Sequence, residues 1–359
     1  MSLSNSRSAQ AAESIIPSAQ SATIDLPPAP RRFFEEIMWA PMRLIVIETA
    51  LKGGLFDAVT ETAHSAEEVA RLTTSDPRAT RMILDELCGL GLMSKEEALY
   101  ALTPESRTYF AKDSLLNVRR MFEHGLAISE PWRALPDVLR SGKPAQQVDR
   151  PDRGPEFFKE LVRAIFPVSH ASSLLLADHL DLPADAPLRV LDVAGGSGAW
   201  SLAFARRHPN ARVTVLDFPP VLDVAREYAQ KLGVADHVEY ASGNIRDYEF
   251  GEARYDIVIL GHICHSEGAE WSDKLIAKSA RALKHGGLLL IADMVPEEDR
   301  CGPEFPLLFA INMLVNTTEG DTFTLNEYRK WTGKAGLVDT DLVDAEGLAC
   351  DVVIARKPE

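Results

Sequence analysis

The chain has 359 residues, a formal net charge of −15 and a pI near 5.1, and its length favours two domains. The acidic balance argues against nucleic acid or an anionic membrane as a partner, because both would repel the protein. No apolar run approaches the length of a membrane span, and four scattered cysteines without a C-x-x-C pair indicate neither a zinc cluster nor a disulfide framework. These features predict a cytoplasmic protein.

Residues 1–30 are rich in Ser, Ala and Pro without sustained periodicity, which predicts a disordered leader. They also lack the apolar core of a secretory signal. Residues 31–59 are helical in character and apolar on nearly all sides, so most of that helix must be covered. We expect Pro41 to kink or divide it.

A winged helix is predicted next. Ser65 and Glu68 form a capping box that opens a short helix, and Asp76 caps a second helix at 77–89. Residues 93–102 have the pattern of a small hairpin. Helix, turn, helix and hairpin together are typical of this motif.

A winged helix raises the hypothesis of a DNA-binding regulator. The recognition helix of such a protein would be PRATRMILDELC, in which Arg78 and Arg81 are balanced by Asp85 and Glu86. A helix that reads a DNA groove usually brings net positive charge, so the sequence disfavours DNA binding.

Residues 115–185 are predicted to be mostly helical, apart from an interruption around SGKPAQQVDRPDRGP. We interpret them as a helical connection that lines a substrate cleft between two domains, where ligand sites are common. Candidate cleft residues, most of which are expected to be ordinary core, are Phe157, Phe158, Ile165 and Phe166. Phe166 is the one retained as a predicted substrate contact.

From residue 186 to 359, strands alternate with helices, which predicts an α/β domain with a mostly parallel sheet. Strands are predicted at 189–193, 212–216, 237–241, 255–260, 287–293, 337–343 and 350–356. Helices are predicted near 199–208, 220–232, 272–284, 303–315 and 325–335.

The stretch VLDVAGGSGAWS, residues 190–201, is typical of a buried strand that ends near Asp192, turns through glycines and opens a helix. Gly195, Gly196 and Gly198 remove the side chains that would keep a ligand away from the backbone. A nucleoside-bearing ligand is therefore expected across this turn.

Two phosphate-binding patterns are excluded at this turn. A dinucleotide fingerprint starting at Gly196 requires glycine at the position of Ser201, and a P-loop requires a lysine that the turn lacks. A second buried strand ends at Asp217, 19 residues after Gly198. A carboxylate at about that distance holds the ribose diol in doubly wound folds, which predicts a nucleoside without a phosphate chain.

The order D-x-A-G-G-x-G followed by V-x-V-L-D-F-P resembles the class I S-adenosylmethionine (SAM)-dependent methyltransferases, and more narrowly the small-molecule O-methyltransferases of the caffeate and hydroxyindole type. The resemblance runs from about Phe33 to Lys357, with Ala194 in place of the family's first glycine. It implies a Rossmann-like seven-stranded sheet of order 3-2-1-4-5-7-6 on residues 186–359, and a winged-helix dimerisation domain on residues 31–114. It further implies a homodimer, SAM as methyl donor, S-adenosylhomocysteine as product, a small hydroxylated acceptor and no metal.

The resemblance assigns cofactor binding to the glycine turn, the end of the next strand and a later loop: Asp192, Gly195, Gly196, Gly198, Asp217, Phe218, Asn244 and Ile245. Asn244 stands where the family has an acidic residue against the adenine, and an amide can both donate and accept there. Gly261 stands where some relatives place a lysine, so that cofactor contact is expected to be absent.

The predicted catalytic residues follow the fourth strand of the sheet, in the loop of YDIVILGHICHSEGAEW. Open α/β sheets bind ligands at this edge. Aligned on the family motif, His265 is the catalytic base and His262 is a supporting or substrate-facing residue. Asp293 is expected to orient the base by accepting its N–H.

Three positions depart from the family's active-site pattern. Ser266 replaces an aspartate, Glu267 replaces an aromatic residue, and Thr322 replaces a second carboxylate beside the base. Glu319 and Asp321 are possible replacements for that carboxylate.

The predicted acceptor pocket uses one face of a helix, which bears Phe305, Leu308, Phe309, Asn312, Met313 and Asn316. This apolar, Met-containing lining predicts a flat aromatic or polyketide-like acceptor. The function predicted is SAM-dependent O-methylation. Two alternatives remain open: an enzyme of the same fold that binds SAM for hydroxylation or rearrangement, and the DNA-binding regulator.

Overall fold

The computed structural model describes residues 32–123, 129–148, 154–180, 182–183 and 185–359. The predicted leader, residues 1–30, lies outside these ranges. The chain divides into two units, and the second unit spans Leu44–Glu359. No α-helix in the described part of the chain has both the length and the hydropathy that crossing a bilayer requires.

A π-helix at Arg32–Met38 comes first, and short 3-10 helices lie at Glu130–Ala134 and Ala235–His237. The α-helices of the described residues are α1 Ala40–Lys52, α2 Leu55–Ala58, α3 Ala66–Thr73, α4 Pro77–Gly89, α5 Pro104–Phe110, α6 Arg119–Glu123, α7 Leu135–Ser141, α8 Gly154–His179, α9 Ser201–Arg207, α10 Pro219–Lys231, α11 Cys264–Ala282, α12 Glu304–Asn316 and α13 Leu325–Lys334. The strands are β1 His64–Ser65, β2 Met93–Glu96, β3 Leu99–Leu102, β4 Leu188–Val193, β5 Ala211–Asp217, β6 Val238–Ser242, β7 Tyr255–Gly261, β8 Leu283–Asp293, β9 Val338–Leu342 and β10 Asp351–Arg356.

The first helical region is divided, as expected, but the break falls at Trp39 rather than at Pro41. Pro41 is the second residue of α1. A proline in the first helical turn lacks only an N–H that would have no helical partner, so it starts the helix instead of kinking it. A second break follows α1, where Gly54 takes a left-handed φ of 75° before α2.

The winged-helix elements are confirmed. The Ser65 side chain accepts the Glu68 N–H and completes the capping box of α3, while the Asp76 side chain accepts the Ala79 N–H at the start of α4. Strands β1, β3 and β2 form a small antiparallel sheet. Leu84 and Leu87 of α4 are fully buried with Tyr100 of β3, so the helices pack on the hairpin through one apolar core.

The predicted seven-stranded sheet is also confirmed. Its order is β6-β5-β4-β7-β8-β10-β9, which is 3-2-1-4-5-7-6 when its strands are numbered along the chain. The first five strands are parallel, and β10 runs antiparallel to both β8 and β9. Val190, Leu191 and Val193 of β4 are fully buried, because helices cover both faces of the sheet.

The helix after β7 starts earlier than predicted. It was expected near 272–284, but α11 begins at Cys264. Gly268, with φ 76° and ψ 171°, separates a first turn from the longer helical stretch that the sequence pattern revealed. The prediction that His265 lies in a loop was therefore wrong, since it occupies that first turn.

The carboxyl ends of the parallel strands meet at one edge of the sheet. Asp217 is opposite Ser242, Val193 is opposite Leu260, and Gly261 is opposite Ala292. The strand order reverses between β4 and β7, and ligands bind at such switch points in open α/β sheets. The fold thus brings the predicted cofactor and catalytic residues to a common edge.

Candidate active site

The glycine turn after β4 leaves no room for side chains. A Cβ at Gly195 would lie 2.6 Å from Cγ of Asp192, and one at Gly196 would lie 2.9 Å from Cγ1 of Val162. Gly198 has a φ of 73°, and Ala194 takes a left-handed φ of 52°. Alanine is strained in that region, whereas glycine adopts it freely. The turn is a backbone cradle at the end of β4.

Asp217 anchors this cradle from the end of β5. Its Oδ2 accepts the Gly196 N–H at 2.8 Å, and its Oδ1 accepts the Phe218 N–H at 2.7 Å. Burial raises the pKa of Asp217 to about 6, against the lowering effect of these two N–H donors. Each carboxylate oxygen keeps lone-pair capacity for one more donor, such as a ribose hydroxyl.

Asp192 is fully buried at the end of β4, and its Oδ2 accepts the Ser201 hydroxyl at 2.5 Å. Its Oδ1 is buried without a hydrogen-bond partner among the described residues. Burial, with a smaller contribution from the charge of Asp217, raises its pKa to about 7. A buried acceptor left unpaired costs free energy, so this atom is suited to a ligand's cation or hydroxyl.

Trp200 is a site residue that sequence analysis missed. A Cβ at Gly261 would lie 2.5 Å from Cδ1 of Trp200 and 3.0 Å from its Nε1, so the indole fills the space of a side chain at position 261. A longer side chain at position 261 would therefore clash with this indole. The Trp200 Nε1 is buried without a partner in the described residues, as is the Nδ1 of His262. Two features of the sequence could have revealed Trp200: a tryptophan at the end of the glycine turn, and a glycine at position 261, where a larger residue was expected.

Together, these atoms place polar groups that are complementary to SAM at the carboxyl edge of the sheet. The cofactor has an ammonium group, a carboxylate and ribose hydroxyls, and the edge offers unpaired acceptor and donor atoms beside a cradle that a Cβ would fill. The residues present therefore fit the cofactor that the sequence predicts.

The loop after β6 holds the predicted adenine contacts. The Asn244 side-chain oxygen accepts the Arg246 N–H at 2.9 Å, and no hydrogen bond from its Nδ2 is seen within the described residues. Ile245 is buried, and Phe218 is half-buried after β5. The Asn244 oxygen keeps a second lone pair, so the expectation that this residue both donates and accepts stays a prediction.

SAM affinity should depend on pH through Asp217 and Asp192. The raised pKa values mean that both groups gain a proton as the pH falls from 7.5 to 5.5. A protonated carboxyl attracts the positively charged cofactor less than a carboxylate does. We expect SAM to bind at least about tenfold more weakly at pH 5.5, measured by calorimetry. Equal affinity at the two pH values would contradict the assignment, and Asp192→Asn should reduce the pH dependence.

His265 and Asp293 form a buried pair at the ends of β7 and β8. The Nδ1 of His265 lies 2.7 Å from Oδ1 of Asp293, and the His265 backbone N–H donates to Oδ2 at 3.2 Å. Because the carboxylate only accepts, Nδ1 must be protonated and Nε2 is then the basic nitrogen. Burial alone would raise the pKa of Asp293, but the His265 charge and hydrogen bonds hold it below its ordinary value.

His262 lies beside this pair. Its ring centroid is 6.1 Å from that of His265, and its backbone has a left-handed φ of 57°. Burial and the charge of His265 lower the pKa of His262 to about 4. It is therefore neutral near pH 7, and a base role for it is less favourable than a supporting one.

The three residues that depart from the expected family pattern, Ser266, Glu267 and Thr322, have different surroundings. The Ser266 hydroxyl donates to the Ile263 carbonyl, and Glu267 pairs with Arg246 at 3.0 Å. Thr322 is fully buried, and its Oγ1 lacks a partner among the described residues. Asp321 has a half-exposed side chain and accepts its neighbour's N–H.

Neither proposed replacement supplies a second carboxylate to the base. Glu319 is exposed, and Asp321 is oriented towards solvent and Arg300. That sequence hypothesis was wrong because both residues lie on a turn whose backbone, and not its carboxylates, contacts His265: the Asp321 N–H donates to the His265 carbonyl.

The acceptor-pocket residues divide into three groups. The Phe309 ring packs edge-on against His265 at 4.9 Å, and Met313 is buried on the same helix. Asn312 accepts Nε1 of Trp132 at 3.3 Å and Nδ2 of Asn316 at 2.9 Å through its side-chain oxygen. Phe305 and Leu308 are exposed, and the Phe305 ring lies 6.0 Å from that of Phe309.

The prediction that Phe166 contacts substrate is corrected. Its side chain is fully buried and stacks on Tyr228 at 3.5 Å and on His170 at 5.0 Å. It therefore belongs to the core between α8 and α10. The helical pattern could not distinguish a core aromatic from a pocket aromatic, because both require an apolar helix face.

Comparisons with known proteins agree with this geometry. The family model described as the O-methyltransferase domain matches residues 166–338, and that of the O-methyltransferase dimerisation domain matches residues 38–112. The chain is 30% identical over 298 residues to the tetracenomycin polyketide synthesis 8-O-methyltransferase of Streptomyces glaucescens, with 79% of this chain and 84% of the relative covered. It is 27% identical over 322 residues to the 3-hydroxy-5-methyl-1-naphthoate 3-O-methyltransferase of Streptomyces sahachiroi, with 86% and 90% covered.

A solved structure shares the same fold. Human N-acetylserotonin methyltransferase, in complex with SAM, superposes with a TM-score of 0.78 at 23% identity, covering 93% of this chain and 99% of the human chain. Together with the glycine cradle and the buried carboxylates, these matches establish the family. The chain belongs to the SAM-dependent O-methyltransferases that have an N-terminal dimerisation domain.

Proposed function

We propose that the enzyme methylates a hydroxyl of a small aromatic or polyketide-like acceptor, with His265 as the general base and Asp293 as its orienting partner. The observation that carries this proposal is the 2.7 Å contact between Nδ1 of His265 and Asp293, at the same sheet edge as the glycine cradle. An imidazole held in this way keeps its Nε2 lone pair available for a proton.

SAM supplies a methyl group on a sulfonium, whose leaving group is a neutral thioether. The chain's own residues would hold it in three parts. Asp217 would accept the ribose hydroxyls, Asp192 and the glycine turn would contact the methionine and ribose region, and Asn244 with Ile245 and Phe218 would contact the adenine. Orienting donor and acceptor in line is the main catalytic task, because the leaving group needs no assistance.

His265 would remove the acceptor's hydroxyl proton as the oxygen attacks. A phenol has an ordinary pKa near 10, so a base beside it raises the nucleophile concentration at neutral pH. The proton would move from the hydroxyl to Nε2, and Asp293 would stabilise the imidazolium through Nδ1. Burial raises the pKa of Asp293, but the His265 charge and hydrogen bond, together with the charge of His262 and the Met294 N–H, hold it below its ordinary value, so Asp293 can do this as a carboxylate.

The acceptor class follows from the residues around the base. Phe309 and Met313 offer an aromatic edge and a polarisable side chain beside His265. Trp132 has only a donor, so Asn312 must present its oxygen to it and its amide NH₂ elsewhere. That NH₂ suits an acceptor with a carbonyl or carboxylate near its hydroxyl, as in the naphthoate substrate named for one relative.

We further infer that the reaction needs no metal. His262, His265 and Asp293 place potential ligand atoms within 4.8 Å of one another. However, each oxygen of Asp293 already accepts two hydrogen bonds, and a metal would have to displace them. We expect activity to be unchanged, within about twofold, after dialysis against EDTA. Loss of activity that zinc or magnesium restores would overturn this inference.

For the domains, we propose dimerisation by residues 31–114, a helical connection at 115–185 and SAM binding by residues 186–359. Large apolar side chains are exposed near the start of the described chain, as expected for a homodimer face: Phe33, Ile37, Met38, Trp39 and Met42. Sedimentation equilibrium tests the dimer.

The acidic charge supports neither a nucleic acid nor a membrane partner, and four free cysteines support a cytoplasmic location.

The decisive experiment is methyl transfer from labelled SAM to a panel of hydroxynaphthoates, polyketide phenols and hydroxyindoles. We expect a labelled methyl ether together with equimolar S-adenosylhomocysteine. The non-methylating alternative rests on Ser266 and Glu267, which differ from the residues that the family resemblance leads one to expect beside the base. That alternative predicts SAM binding and a changed acceptor without S-adenosylhomocysteine, which would overturn the proposal.

A gel shift with duplex DNA tests the regulator hypothesis, and we expect no shift.

A further inference from the structure

We propose that Tyr328 is a positioning residue for the catalytic pair. Its hydroxyl fixes the orientation of Asp293 and moderates the basicity of His265, at a site where the buried Thr322 supplies no second carboxylate. This inference rests on the proposed role of His265 as the base.

The first support is the hydrogen-bond arrangement around Asp293. The Tyr328 hydroxyl donates to Oδ2 at 3.0 Å, and the His265 backbone N–H donates to the same oxygen at 3.2 Å. Oδ1 accepts Nδ1 of His265 at 2.7 Å and the Met294 N–H at 2.9 Å. Tyr328 is therefore the side chain, among the described residues, that holds the oxygen not used by the imidazole.

The second support is that the Tyr328 ring is immobilised independently of its hydroxyl. The residue is fully buried on α13. Its ring meets Phe323 at 6.2 Å and Trp331 at 5.5 Å, both nearly perpendicular. A phenylalanine would keep these contacts, so replacing Tyr328 by Phe removes one hydrogen bond with little change in packing.

The third support is the chemistry at position 322. Thr322 is buried and brings no charge, while Asp321 lies towards solvent. A second carboxylate would favour the imidazolium and make the base stronger. A hydroxyl that donates to Asp293 has the opposite effect, because it stabilises the carboxylate and weakens its pull on the imidazole proton. The imidazole of His265 is thus held by the Asp293 carboxylate, and that carboxylate is held in turn by the neutral Tyr328 hydroxyl.

Several other titratable groups lie around the catalytic pair. They are His262 after β7, Cys264 and Glu267 on α11, Glu327 beside Tyr328, and Cys350 and Asp351 near β10. The pKa of His262 is lowered to about 4 by burial. Burial raises the pKa of Cys264, Cys350 and Tyr328, so these groups stay protonated.

The test is the pH profile of Tyr328→Phe in the full-length enzyme. We expect kcat to fall about tenfold through looser orientation, with SAM affinity unchanged. We also expect the acidic midpoint of kcat/KM to move up by about 0.5 pH unit, because the freed carboxylate favours the imidazolium. A merely structural residue would not move this midpoint. Tyr100→Phe is the matched control, since Tyr100 is buried and donates to Asp85 at 2.7 Å in the winged-helix region.

An unchanged midpoint in Tyr328→Phe would overturn the inference, as would an equal shift in Tyr100→Phe. A nitrogen-15 NMR titration of the His265 ring, assigned with His265→Gln, gives a readout that does not need turnover. We expect the imidazolium form to persist to higher pH in Tyr328→Phe. If the wild type bound SAM without methylating any acceptor, the proposed function would fail, and the NMR titration would still decide the role of Tyr328.

Discussion

Replacing His265 by Ala is expected to lower kcat for methyl transfer by about 1000-fold, with SAM affinity retained within about threefold. The loss has a specific cause, because the acceptor hydroxyl would keep its proton at neutral pH. Among the described residues near His265, no other side chain combines a free imidazole nitrogen with a carboxylate partner. Single-turnover kinetics at saturating SAM measure the chemical step, and calorimetry measures the affinity.

His285→Ala is a suitable control for that variant. His285 is exposed at the start of β8, on the opposite edge of the sheet, where its ring contacts the Pro358 carbonyl. We expect wild-type kinetics from it. Wild-type turnover by His265→Ala would show that the base has been assigned wrongly, and a parallel loss of SAM affinity would assign His265 to cofactor binding.

Asp217→Asn is expected to weaken SAM binding by about 50-fold. The native carboxylate accepts the Gly196 and Phe218 N–H groups through different oxygens. An amide has a single oxygen, so its NH₂ group would face one of these donors and push the cradle open. The variant would also lose the charge that accepts a ribose hydroxyl. Calorimetry with SAM at pH 7.5 measures both effects together.

Asp223→Asn is the matched control for this change, because Asp223 lies exposed on α10 a short distance along the chain. We expect its SAM affinity to equal that of the wild type. If Asp217→Asn bound SAM normally, the carboxylate at the end of β5 would have only a structural role in the turn.

Several parts of the fold were predictable because their causes are local. The capping box of Ser65 and Glu68, the Asp76 cap and the alternation of strands and helices depend on residues near one another in the chain. For this reason the predicted strands of the large sheet agree with the observed ones within a few residues, although β8 begins four residues early, at Leu283. The strand order itself came from the family resemblance and not from periodicity.

Two of the sequence predictions were wrong for different reasons. The early start of α11 went unnoticed because Gly268 interrupts the helical pattern after one turn. Phe166 was assigned to the cleft, although Tyr228 and His170 enclose it. The first error has a local cause, whereas the second reflects packing between elements that are far apart in sequence, which periodicity does not encode.

By itself, the sequence determined the chemistry available at the sheet edge. The glycine turn, Asp192, Asp217 and the two histidines after β7 follow from strand ends, and carboxyl ends of parallel strands must meet. Only the tertiary structure decided how those groups are paired: which oxygen of Asp293 holds the imidazole, that Tyr328 from α13 occupies the other, and that the carboxylates beside Thr322 are directed elsewhere. The physical reason is that hydrogen bonds require approach within about 3 Å in a fixed direction, and residues 28 and 35 positions apart meet that condition only through the packed fold.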